Sequence, residues 1–167
     1  MASATTATPR EVAIAIFDAL NRHDLDTVMA LDHTDVVDDF VAVGVFDGAP
    51  AVRAFFTEIF AAMPDFALEV LGLVCDDEHA VVQWRATGTF TDTPFQGIHA
   101  TGRHVELRGV DVMRFEQGKL KHNTIYYDGL AFARQIGMLP REGSLLDKAM
   151  TTTFNARTDV IGKLRRY

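Results

Sequence analysis

Apolar and polar residues alternate along this chain with two different periods. Between residues 10 and 63 the apolar positions recur every three or four residues. Val12, Ile16, Phe17 and Leu20 fall on one helical face, and Leu25, Val28, Met29 and Leu31 on another. Thr8-Pro9-Arg10-Glu11 supplies a capping threonine, a proline at the first helical position and a glutamate three residues after the cap. A helix is therefore predicted to start at residue 9, and Asp24 to cap a second, shorter one. Residues 35–45 are β-branched and interrupted by Gly44, which predicts one short irregular strand. A third helix is predicted over residues 49–63, stopped by Pro64.

Beyond Pro64 the period becomes two. Strands are predicted at about 66–75, 80–90, 104–115 and 120–127, separated by Asp76-Asp77-Glu78, a Gly/Thr/Pro-rich loop and Gln117-Gly118. Helices followed by an antiparallel meander make an α+β fold. A helix over 130–138 stops before Pro140. Leu146, Met150, Phe154, Ile161 and Leu164 then mark a last helix, whose stripe requires a surface to cover it, on its own sheet or on a partner's. The expected organisation is a disordered start over residues 1–8, one domain over 9–138 and a C-terminal helical extension over 139–167.

With 167 residues the chain has room for one core of its own, and 48% hydrophobic residues with 12 phenylalanines exclude disorder. The formal charge is −7, and the one basic cluster is Lys163, Arg165 and Arg166, so nucleic acid is not an expected partner. No apolar run approaches the ~20 residues of a membrane span, and the first nine residues lack signal-peptide character. A soluble cytoplasmic protein is expected. The single cysteine, Cys75, fits that compartment and reads as a small buried apolar residue.

Alternation also selects the candidate chemistry. Asp111 shares parity with Leu107, Gly109 and Met113, while Val110 and Val112 share the opposite parity. If the first set faces the core, a carboxyl lies in an apolar row and its pKa rises; the alternation equally allows Asp111 to face water. Asp38 shares a face with Val36 and Phe40. It reads either as a second inward carboxyl or as a loop residue capping a turn. Two carboxyls in one pocket split their pKa values and offer an acid and a base together. Asn123 and Tyr127 share the face of the last strand that could orient a ligand. The histidines show no metal spacing and no dinucleotide or phosphate-loop motif is present, so neither metal nor cofactor is expected.

The stretch Thr101-Gly102-Arg103, the run Val105–Phe115, Gly118-Lys119-Leu120, Tyr127-Asp128 and Arg134-Gln135-Ile136-Gly137 resemble the SnoaL-like branch of the NTF2-like superfamily, over about residues 10–138. The resemblance implies a cone: a strongly curved antiparallel sheet wrapped by three N-terminal helices around a deep hydrophobic pocket. Val110-Asp111-Val112-Met113-Arg114-Phe115 is particularly similar to ketosteroid isomerase, which implies for Asp111 a protonated carboxyl that donates to a developing oxyanion. The chain departs from both known catalytic sets. The isomerase's tyrosine falls on Ile16 and its base on Phe40; the cyclases' acid/base aspartate falls on Ile125, their pocket asparagine on Asp38 and a histidine on Asp111.

The reading that follows is a cofactor-free acid–base enzyme of cyclase or isomerase type, acting on a hydrophobic metabolite of polyketide or steroid kind. Asp111 and Asp38 are its catalytic pair. Phe17, Phe40, Phe56, Trp84, Met113, Asn123 and Tyr127 are its substrate-binding wall. The alternatives are a non-catalytic binding protein for a hydrophobic ligand and an epoxide-opening enzyme. A homodimer through the outer face of the sheet is expected, because Val110, Val112, Thr124 and Tyr126 form an apolar centre rimmed by Arg85, Arg108, Arg114 and His122.

Overall fold

The computed structural model describes residues 7–164. Two helices, α1 (Pro9–Asn21) and α2 (Leu25–Leu31), lead into a strand pair, β1 (Asp32–Phe40) and β2 (Gly44–Asp47), and then α3 (Ala49–Ala62). Four strands follow, β3 (Ala67–Cys75), β4 (His79–Phe90), β5 (Arg103–Glu116) and β6 (Lys119–Tyr127), and two helices, α4 (Gly129–Gln135) and α5 (Leu145–Leu164). The six strands form one sheet in the order β2-β1-β6-β5-β4-β3. All neighbours are antiparallel except β1 and β6, which run parallel.

The predicted caps form. Thr8 accepts from the Glu11 amide while the Glu11 carboxylate accepts from the Thr8 amide, and Asp24 accepts from the Thr27 amide. The end of α1 is tied to the edge strand: the Asn21 amide donates to the Leu68 carbonyl at 2.8 Å and its oxygen accepts from the Leu68 amide at 2.7 Å. β5 and β6 are joined at Gln117 and Gly118, both at positive φ, the geometry whose twist matches that of the flanking strands.

The helices α1 and α3 bury Val12, Ile16, Phe17, Leu20, Val52, Phe55, Phe56 and Ile59 against the inner face of the sheet, where Val82, Trp84, Val105, Met113, Leu120 and Ile125 meet them. Outer residues alternate with these, and Val81, Val112 and Tyr126 are exposed. No helix among the described residues is long and apolar enough to cross a membrane.

Three details differ from the sequence expectation, and one alternative it left open is decided. The irregular strand over 35–45 is a hairpin, because residues 41–43 turn and β2 returns along β1. The meander β3–β6 is antiparallel as expected, but the sheet as a whole is not, because β1 joins β6 in parallel from the helical layer rather than through a hairpin. Cys75 is exposed, as the last residue of the edge strand β3. The stripe of α5 does not fold back over its own sheet, since Leu145, Leu146, Met150, Phe154, Val160 and Ile161 are all exposed. The expectations for residues 1–6, Arg165 and Arg166 lie outside the described residues.

Candidate active site

The inner face of the sheet and the helices enclose a cavity of about 110 Å³. Its wall is largely aromatic and aliphatic: Ile16, Phe17 and Leu20 come from α1, Val28 from α2, and Val52, Phe55, Phe56 and Ile59 from α3. Phe95, from the loop after β4, and Phe132, from α4, close one side edge to face. The sheet contributes the polar groups, Asp32 and Asp38 from β1, Asp111 from β5, and Asn123 and Tyr127 from β6.

Asp111 points inward, with Val110 and Val112 on the other face. Both its oxygens are held: the Trp84 indole N–H donates to Oδ1 at 2.7 Å and the Asn123 amide donates to Oδ2 at 2.9 Å. Adjacent strands present these partners together. Asp111 pairs with Val82 on one side and Ile125 on the other, so Trp84 and Asn123 stand one inward step away along β4 and β6. Gly109, opposite Trp84, makes room for the indole. A Cβ there would collide with the six-membered ring of Trp84 and stand 2.6 Å from the Tyr126 carbonyl oxygen. Burial pushes the Asp111 carboxyl up to about 6, and the two donors limit the rise by favouring the charged form.

Asp38 is only 3% exposed and has none of this support. Its Oδ1 is buried without a hydrogen-bond partner. Burial, then the nearby charges of Asp32 and Asp111, hold its carboxyl well above the ordinary value of 3.8. Asp32 is a third buried carboxyl that the sequence reading missed. It too has an unpartnered Oδ1, and burial raises it to about 7 against the opposing pull of Lys119. Its even-numbered parity with Val36, Asp38 and Phe40 was the available signal. At the end of a helix, ahead of His33-Thr34-Asp35, that parity was masked by a turn-like sequence.

Of the other wall residues expected from sequence, Phe17, Phe40, Phe56, Trp84, Asn123 and Tyr127 line the cavity. Met113 does not: it faces inward, but it is fully enclosed in the core and does not reach the cavity surface. Tyr127 is partly buried, which raises its hydroxyl above the ordinary value of 10.

Chemically, the arrangement holds one carboxyl whose charged form two donors favour, one whose charged form burial without donors disfavours, and an apolar chamber around both. Proton removal and proton return at a hydrophobic substrate need such a division.

The family description "SnoaL-like polyketide cyclase" matches residues 10–136. Among solved structures, a SnoaL-like protein from Jannaschia sp. CCS1 superposes with a TM-score of 0.72 at 21% identity, over 84% of this chain and 99% of that one. TsrD from Streptomyces laurentii gives 0.69 at 24% identity, over 78% and 95%. A SnoaL-like polyketide cyclase from Agrobacterium tumefaciens gives 0.62 at 25% identity, over 78% and 98%. No curated protein matches the chain.

Proposed function

Since the chain belongs to the SnoaL-like polyketide cyclase family, we propose that it is a cofactor-free acid–base enzyme that isomerises or cyclises a hydrophobic, carbonyl-bearing small molecule. The observation that carries this reading is the contrast between two carboxyls in one apolar cavity, Asp111 gripped by Trp84 and Asn123 and Asp38 unpartnered. Asp111 is the base: it takes a proton from the carbon next to the substrate carbonyl. Asp38 is the acid, donating to the oxygen on which charge develops. This reverses the role that the likeness to ketosteroid isomerase implies for Asp111, because two donors to a carboxylate favour its charged form. General acid–base help is worth about 10²–10⁴-fold, enough for a reaction that only relocates protons.

The test is deuterium exchange next to the carbonyl of 2-tetralone in D2O, followed by NMR. The protein is expected to accelerate exchange, and Asp111→Asn to abolish the acceleration. Binding of the ketone without any exchange would favour the alternative, a non-catalytic binding protein. The unpaired Cys75 is consistent with a cytoplasmic site of action. The exposed Val81, Val112 and Tyr126 on the sheet and the uncovered stripe of α5 support a homodimer through the outer face. A monomer in sedimentation at micromolar concentration would remove that part of the reading.

A further inference from the structure

The polar atoms inside the cavity are unevenly matched. Asp32 Oδ1, Asp38 Oδ1 and Asn123 Oδ1 are buried without partners, and all three are oxygens. The Trp84 indole and one N–H of the Asn123 amide are engaged by Asp111, and the Tyr127 hydroxyl is the one other side-chain donor from the sheet in this lining. The three helices over the cavity add only apolar side chains. Lys119 lies near enough to act on Asp32 electrostatically, but its amine donates to the Ala30 carbonyl at 2.8 Å and the Asp32 carbonyl at 3.4 Å. Among the described residues the Asp32 carboxylate forms no ion pair.

Each buried oxygen left without a donor is destabilising, so the occupant that fits must bring N–H or O–H groups. A ketone brings only acceptors and leaves Asn123 Oδ1 empty. An ammonium brings three donors and a charge that offsets a buried carboxylate, and Phe17, Phe40 and Phe55 line the same cavity with aromatic rings of the kind that attract a cation. We propose that the Asp32–Asp38 end of the cavity is a subsite for a protonated amine, so that the substrate carries a basic nitrogen besides its hydrophobic, carbonyl-bearing part. Asp32 supplies the countercharge. Asp38 keeps its proton for the reaction and accepts an N–H through its carbonyl oxygen.

The proposal extends the acid–base reading of the same site, but binding requires no turnover. Calorimetry on the full chain with benzylamine and its neutral analogue benzyl alcohol therefore tests it separately from the exchange assay. Benzylamine is expected to bind at least about tenfold tighter than the alcohol. In buffers of different ionisation enthalpy its binding is expected to release about half a proton at pH 7, because free Asp32, at about 7, is then half protonated. The other titratable or charged groups at this end are Asp38 on the same strand, Asp111 and Tyr127 across the cavity, and Lys119 beside it. Benzylamine affinity is expected to rise from pH 5 to pH 7 as Asp32 ionises, while alcohol affinity stays flat. Asp32→Asn is expected to remove the preference for the amine and spare the alcohol. An alcohol that binds as tightly as the amine overturns the proposal, as does no benzylamine binding at millimolar concentration, or an amine preference that survives Asp32→Asn. If that variant fails to fold, the pH series on the unaltered protein decides, and a flat amine affinity overturns the proposal. Ketone exchange that persists alongside failed amine binding would leave the acid–base reading standing; the converse result would sink only that reading.

Discussion

Asp111 and Asp38 are two carboxyls of nearly equal burial in one chamber, and they differ almost wholly in their neighbours. The first accepts a hydrogen bond at each oxygen; the second has an oxygen that accepts none and two other carboxyls nearby. Burial pushes both upward, yet only Asp111 stops near 6. Desolvation brings a carboxyl into the range where it can exchange protons at neutral pH, and donors then decide whether it gives or takes.

Removing either partner of the contrast should have the largest effect. Asp111→Asn and Asp38→Asn are each expected to slow deuterium exchange by about 10²–10⁴-fold, and the double variant by little more than either, as for groups acting together. Effects that are mild and multiply would mean the two do not act as a pair.

Stability against pH comes next. Asp32, Asp38 and Asp111 hold protons in the folded chain at pH values where the unfolded chain has lost them, near the ordinary 3.8. Their contribution is complete below that value; it is lost as pH rises through about 6 for Asp111 and about 7 for Asp32, and well above 3.8 for Asp38, and Asp32 alone accounts for on the order of 4 kcal/mol. Asp24, Asp35, Asp65 and Asp76 act in the opposite sense: hydrogen bonds hold them below the ordinary value, so their contribution is lost as pH falls. Urea midpoints should therefore peak near pH 4, where the two sets balance, and decline toward pH 7. Asp32→Asn should flatten the decline, and a maximum at pH 8 would contradict the burial of these acids.

Two smaller changes sharpen the role of the donors. Gly109→Ala forces Trp84 aside and should cost roughly 1–3 kcal/mol, with a shift in indole fluorescence reporting the displaced ring. Trp84→Phe keeps most of the packing and removes one donor. About 1–2 kcal/mol of stability should be lost at neutral pH, and the acid limb of the exchange profile should move upward because Asp111 becomes harder to ionise. Thr124→Val, one residue from Asn123 on the opposite face, should change stability by less than about 0.5 kcal/mol and leave the profile unmoved.

Much of the fold was legible in local signals. Thr8 with Glu11 set the start of α1, and the change to a period of two after Pro64 marked the strands β3 to β6. The hairpin of β1 and β2 was not legible, because its turn, Val41-Ala42-Val43, contains apolar residues that read as more strand. Parity alone left Asp111 open between two faces. The family likeness pointed inward, and the pairing of β5 with β4 and β6 supplies what parity lacks, a donor on each side. Asp32 escaped because it is both the cap of one helix and the first residue of a strand. Met113 had the right parity, but parity assigns a face of the sheet and not the depth at which a cavity ends.

The absent side chain at Gly109 determines where this pocket is open to revision. Trp84, Gly109 and Asp111 interlock, so a library that varies any of them alters the hydrogen bonding of the proposed base. Phe40, Phe56 and Leu107 line the same space without touching that lock through any hydrogen bond. An engineer seeking a different substrate would keep the Asp111 corner constant and diversify the remaining walls. On the proposed acid–base reading, the part of the site that sets reactivity is thus separate from the part that sets shape.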